Sequence, residues 1–127
     1  RLDQDVYLQD IMATSLELAG IEKPSYVEFN SFKDIIDGKN QKGHYDAVYG
    51  AYVNFQRMIR KDGFKLLVYP KINKVLLFDL KNDPEEMNDL AEKAEYADKI
   101  KGMFKELIDL QKTMGDELNL NEIYQQL

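Results

Sequence analysis

The sequence predicts an α+β fold: a small antiparallel sheet of three to four strands packed against a long C-terminal helix, with a short N-terminal helix. Three observations carry that reading. An Asp62-Gly63 pair separates two apolar and aromatic runs, Phe55–Arg60 and Phe64–Tyr69, and such a pair is a strong hairpin signal because a type I′ turn needs positive φ at both central positions. Tyr96, Ile100, Met103, Phe104, Leu107, Gln111 and Met114 hold a 3.6-residue period up to Gly115. Near the start, Met12, Leu16 and Ala19 recur at helical spacing, with Ile11 and Leu18 beside them.

Taken in order, Val6-Tyr7-Leu8 is a short apolar run and Asp10 follows it as an expected N-cap. Gly20 suits the left-handed position just past that helix. Residues 21–44 read as a long connection: Pro24 keeps its predecessor out of helix and Asn40-Gln41-Lys42-Gly43 is turn chemistry. Within it, Ser31-Phe32-Lys33-Asp34 ahead of Ile35-Ile36 predicts one capped helical turn. Tyr45 to Tyr52 is aromatic and β-branched around Gly50, Pro70 ends the strand after the Asp-Gly turn, and Val75–Leu80 is a further strand. Asp83-Pro84-Glu85-Glu86 reads as a helix start, with Asp83 as cap, Pro84 in the first turn and Glu86 closing a capping box. The tail from Asp116 to Leu127 predicts at most a further weak helix.

The 127 residues, 44% hydrophobic and 31% charged, suit one globular domain over 1–127. Scattered lysines and a net charge of −6 argue against nucleic acid, whose phosphates need clustered Lys and Arg. Without cysteine the chain has no disulfide, thiolate metal site or cysteine nucleophile. No apolar run reaches the length of a membrane span, and Arg1-Leu2-Asp3 does not open a signal peptide. With no initiator Met, the chain is expected to be a processed or excised piece.

Catalytic chemistry is scarce. His44 is the sole histidine, so neither a zinc triad nor a paired His–carboxylate relay is expected. No Gly-rich phosphate loop follows a strand. Asp3, Asp5 and Asp10 match no calcium loop. Arg57 and Arg60 flank Met58 beside Gln56; arginine suits bidentate anion recognition, while simple alternation makes these residues a solvated strand face. The expectation is a domain with no complete catalytic site.

Val75-Leu76-Leu77-Phe78-Asp79-Leu80, followed by Asp83-Pro84-Glu85-Glu86, Asn88 and Leu90-Ala91, resembles the strand and turn signature near the C-terminus of sulfatases in the alkaline-phosphatase-like superfamily. Val6 to Thr14, closing at Leu18-Ala19-Gly20, is similar to the helix that follows the last core strand of those enzymes. Arg57 to Leu66 resembles the arginine, short turn, Gly-x-Lys-Leu hairpin of the same subdomain. The three segments occur in order over residues 5–92. Two departures stand out. Ala13 occupies a usual proline position, and the Cys/Ser-x-Pro-x-Arg motif that matures to formylglycine is missing, Ser15, Ser25 and Ser31 each being followed by other residues.

The resemblance implies the C-terminal subdomain of an arylsulfatase-type enzyme that hydrolyses sulfate esters of a carbohydrate or aryl alcohol. It implies calcium and formylglycine in the parent, with no cofactor in this chain. The partner it implies is an N-terminal catalytic domain, and the parent is expected to be exported. The chain itself would complete the fold, form one wall of the substrate pocket and be inactive alone. His44, Tyr49, Gln56 and Arg57 are the expected substrate contacts, Arg57 pairing an anion and the others hydrogen-bonding; ordinary packing or solvation is the competing reading for all four. Two other functions stay open: a free-standing interaction module with an exposed apolar face, and a small hydrolase using carboxylates.

Overall fold

The computed structural model describes residues 2–127, and its contacts gather into two compact units, 1–48 and 49–127. In the first, helix α1 spans Asp10–Leu18 and a single turn, α2, spans Lys33–Ile36. Gly20 adopts φ +69°, the left-handed geometry that ends α1. The predicted helical turn forms, but Phe32 holds the cap position without a side-chain bond, and Ser31 Oγ accepts from the Lys33 amide at 3.2 Å one residue outside it.

Asp10 departs from its expected role. It lies inside α1 behind Gln9, which occupies the cap position without a side-chain bond. Its side chain, 1% exposed, accepts instead from the Tyr7 amide (2.8 Å), the Asn30 amide (3.2 Å) and the Tyr45 hydroxyl (2.7 Å). A buried carboxylate needs that many donors to offset its lost hydration. Thr14 Oγ1 extends the network, donating to the Asp10 carbonyl and accepting from the Phe32 amide. The Tyr7 ring stands edge-on to Tyr45 and Phe29 around this network.

The second unit is built on a four-stranded antiparallel sheet in the order β1 (Val48–Tyr52), β2 (Gln56–Lys61), β3 (Phe64–Tyr69) and β4 (Lys74–Asp79). The β2–β3 hairpin closes through Asp62 (φ +52°) and Gly63 (φ +79°), as the Asp-Gly pair predicts. Register places Ile59 opposite Leu66 and Leu66 opposite Leu77, so one sheet face presents three fully buried side chains in a row. Against that face lies α3, Ala97–Thr113, which buries Ile100, Met103, Phe104, Leu107 and Gln111. The spacing of those residues is the 3.6-residue stripe read from the sequence. A last turn, α4 (Asn121–Tyr124), buries Ile123 and stacks Tyr124 near Phe104.

One expected boundary is wrong. No helix follows Pro84; α3 begins thirteen residues later, preceded by a 3₁₀ turn over Ala94–Tyr96. Asp83 accepts from the Met87 and Asn88 amides, and Glu86 takes φ +56°, which a helix does not permit. An Asp-Pro pair opens turns as readily as helices, and residues 85–93 have no apolar period to extend a helix. Glu86 bonds Lys65 instead of closing a capping box. The loop then runs along β4: the Leu77 amide donates to Asp89, and the Leu90 amide donates to the Leu77 carbonyl. The outer sheet edge is thereby covered.

Phe104→Ala should cost about 3–5 kcal/mol, because it empties the centre of the contact between α3 and the sheet. Urea unfolding followed by circular dichroism measures it. A loss below about 1 kcal/mol would mean that the helix does not rest on this side chain.

Candidate functional site

Side chains on β2 alternate between the two sheet faces, and Ile59 fixes which face is buried. By that alternation Arg57 points toward the buried side, where it is 5% exposed. The reading of Arg57 as part of a solvated strand face is therefore overturned. Its partner is Asp116, just beyond α3. Arg57 Nε and the Tyr49 hydroxyl both donate to Asp116 Oδ2. Arg57 Nη2 and the Leu118 amide donate to Oδ1, each at 3.0 Å. The remaining amino group, Nη1, donates to the carbonyls of Val53 and Gln56, both at 2.8 Å. Four of the five guanidinium N–H groups are thus used within the chain.

Burial pushes the Asp116 carboxyl up, but the bonds from Arg57 and Tyr49 outweigh it and hold the group well below the usual carboxylate range. Burial, reinforced by the Asp116 bond, pushes the Tyr49 hydroxyl far above its ordinary value, so it stays protonated as a donor. Val53, whose carbonyl Arg57 holds, has φ +45°. A β-branched residue is a clear outlier there, and a strained residue persists only where its surroundings fix it.

Gln56 precedes Arg57 and faces the opposite side of the sheet. There it lines a shallow depression of about 220 Å³ with Gly50, Tyr52, Met58 and Lys65. The depression's cation is committed, since Lys65 Nζ bonds both Glu86 oxygens at 2.8 Å. His44 belongs to the first unit, where its Nε2 lies 2.9 Å from Asp34 Oδ1. The expectation that no His–carboxylate pair forms is therefore corrected: one histidine needs only one carboxylate, and the turn after α2 brings it back to Asp34. Asn40 Nδ2 donates to the other Asp34 oxygen, and Asn40 Oδ1 accepts from the amides of Lys42 and Gly43. The bond to His44 holds the Asp34 carboxyl below its usual value. Of the four expected contacts, the structure brings Tyr49 and Arg57 onto one carboxylate and leaves Gln56 and His44 in separate surroundings.

Residues 2–113 match the family model described as N-sulphoglucosamine sulphohydrolase, C-terminal. The chain belongs to that sulfatase C-terminal family. It is 34% identical over 118 residues to an N-acetylglucosamine-6-O-sulfatase of Bacteroides thetaiotaomicron, covering 84% of this chain and 21% of that protein. It is 34% identical over 110 residues to an arylsulfatase of Clostridium perfringens, covering 84% of this chain and 22% of that one. Among solved structures, a 2-O GAG sulfatase superposes with a TM-score of 0.72 at 27% identity, covering 84% of this chain and 25% of the other. The chain therefore spans about a fifth of the length of these two curated relatives.

This sulfatase C-terminal domain does not itself fit the calcium or formylglycine that the resemblance implies for a whole enzyme. No group of three His, Cys, Asp or Glu among the described residues is placed to hold a metal ion, and the chain has no cysteine. No helix among the described residues is long and apolar enough to cross a membrane. The residue that sequence reasoning missed is Asp116, which sat in a tail expected to be weakly ordered. A signal for it existed: strand alternation puts Arg57 on the face of Ile59, and a buried guanidinium demands a carboxylate.

Arg57→Ala should cost about 3–5 kcal/mol, since it strands the Asp116 carboxylate. The double change Arg57→Met with Asp116→Leu should cost much less than the sum of the single ones, which urea titrations of all three variants would show. Asp116 also sets a pH dependence. Its folded pKa lies below its unfolded value, so its contribution is complete above about pH 4 and is lost as pH falls through the folded value. Acid unfolding of Asp116→Leu should therefore show a shallower limb below about pH 4 than the natural chain.

Proposed function

We propose that this domain is the C-terminal part of a sulfatase acting on a sulfated carbohydrate, that it completes that enzyme's fold and lends surface to its substrate pocket, and that it is inactive alone. The supporting observation is the match over residues 2–113; beside it, no group of three His, Cys, Asp or Glu among the described residues is placed to hold a metal ion. Hydrolysis of a sulfate ester needs an activated nucleophile and stabilisation of the leaving alkoxide. In this reading the calcium and the formylglycine belong to the catalytic part of the enzyme outside this chain. A sulfated aminosugar or glycosaminoglycan is the favoured substrate class, because an N-acetylglucosamine-6-O-sulfatase and a 2-O GAG sulfatase are among its relatives. Export of the parent is part of the same proposal.

The expected substrate contacts divide by role. Tyr49 gives its hydroxyl to Asp116, and Arg57 divides four of its five N–H groups between Asp116 and the Val53 and Gln56 carbonyls, so the two serve to hold β1, β2 and the segment after α3 in place. Gln56 carries an amide with both donor and acceptor capacity at the sheet surface. His44, oriented by Asp34, presents the other nitrogen of its ring to a sugar hydroxyl or a sulfate oxygen.

An assay of 4-nitrophenyl sulfate hydrolysis by the purified chain, with calcium added, tests this reading. The expected result is no turnover above the uncatalysed rate. Turnover that disappears on mutating any carboxylate of this chain would overturn the proposal and restore the small-hydrolase alternative.

A further inference from the structure

The end of β1 and the turn into β2, residues 51–55, are exposed throughout, although Tyr52, Val53 and Phe55 are large apolar side chains. Tyr52 is 64% exposed and Phe55 47%. Their rings form a tilted pair, with centroids 6.3 Å apart and planes at 33°. The Lys71 ammonium, from the 3₁₀ turn Pro70–Ile72 that follows β3, rests 4.1 Å from the centre of the Phe55 ring. The negative face of the ring holds a cation there. Lys61 and Lys65 are taken up by Glu106 and Glu86, whereas Lys71 meets no carboxylate among the described residues.

The turn carries strain that a plain connection does not need. Val53 sits at φ +45°, its carbonyl held by Arg57 Nη1 at 2.8 Å, while the Phe55 amide donates to the Tyr52 carbonyl at 3.0 Å. Strain of this kind persists where the surroundings fix it, and it gathers at ligand clamps. Here it fixes the stretch that presents the two rings. Tyr52 also lines the depression of Gly50, Gln56 and Met58, so the aromatic surface runs on into an amide with donor and acceptor capacity. An open aromatic ring, a cation with no carboxylate and an adjoining amide are the chemistry that recognises a sugar bearing an anion. The C–H face of a pyranose stacks on the negative face of a ring, and an ammonium donates to sulfate oxygens.

We propose that Tyr52, Phe55 and Lys71 form a binding site for a sulfated pyranose, Tyr52 stacking on its C–H face, Lys71 pairing its sulfate and Gln56 bonding a neighbouring hydroxyl. The choice of a sulfated sugar rests on the sulfatase reading; the aromatic platform and its cation do not. Lys71 and Tyr52 both adjoin Phe55, close enough for one disaccharide unit to touch both. A chain of net charge −6 repels an anionic glycan at long range, so binding has to come from local contacts of this sort.

The test titrates the chain with a heparin tetrasaccharide and, separately, with its fully desulfated counterpart, which keeps the carboxylates. Amide chemical shifts should move most at residues 50–56 and 71. Tyr52→Ala should weaken binding of both glycans at least about fivefold. Lys71→Gln should weaken binding of the sulfated glycan alone, by about fivefold, and flatten its salt dependence. Both side chains are exposed, so neither substitution should move the Tm. Equal affinity for the two glycans would overturn the proposal, since stacking or the carboxylates would then account for it. Shifts confined to residues 1–48, or binding untouched by both substitutions, would overturn it as well. A chain that binds neither glycan, yet restores turnover when it replaces the matched segment of the Bacteroides sulfatase, would sink the site and leave the sulfatase reading intact. Binding with the expected pattern supports the site even where that replacement gives no turnover.

Discussion

The ion pair between Arg57 and Asp116 joins parts of the chain that are 59 residues apart, and much of the second unit is arranged around it. A guanidinium on the buried side of β2 would be costly alone. Asp116 can meet it because α3 ends at Thr113, Gly115 turns the backbone left-handed, and the next carboxylate falls beside the sheet. Tyr49 on β1 binds the same carboxylate, and the Val53 carbonyl between β1 and β2 binds the same guanidinium. One charged pair thus ties the first two strands to the end of the long helix. Hydrophobic contact supplies the bulk of the driving force, while the pair fixes where the helix end and the β1–β2 turn must lie.

The two units solve different problems. In the second, Ile59, Leu66, Val68 and Leu77 meet Phe104 and Leu107, an apolar sheet face against an apolar helix face. In the first, the order comes from a buried carboxylate, two tyrosines and backbone amides, and the larger apolar side chains are left outside.

The legible parts of the sequence were those set by local rules. Asp62-Gly63 fixed its hairpin because few residues accept two positive φ angles, and the Tyr96–Met114 stripe announced α3 because a 3.6-residue period has no competing reading over five turns. The start of that helix was misplaced where the Asp83-Pro84-Glu85-Glu86 pattern satisfies a turn as well as a cap, a choice decided by Lys65 on a neighbouring strand. Asp10 was read as a cap because only its local bond to the Tyr7 amide lies within reach of a sequence pattern; its other partners, Asn30 and Tyr45, are 20 and 35 residues away. The candidate site was half legible. Tyr49, Gln56 and Arg57 could be singled out, but Asp116, which takes up two of them, depends on a contact that no local pattern records.

On the reading proposed above, this domain completes a sulfatase without supplying its chemistry. The most direct measurement is the turnover of a 6-O-sulfated aminosugar by the Bacteroides sulfatase in two forms, one lacking its matched C-terminal segment and one carrying this chain in its place. The shortened form should be inactive, and the form that carries this chain should recover activity. Full activity in the shortened form would contradict that reading, because the segment would then be dispensable to the enzyme it is held to complete.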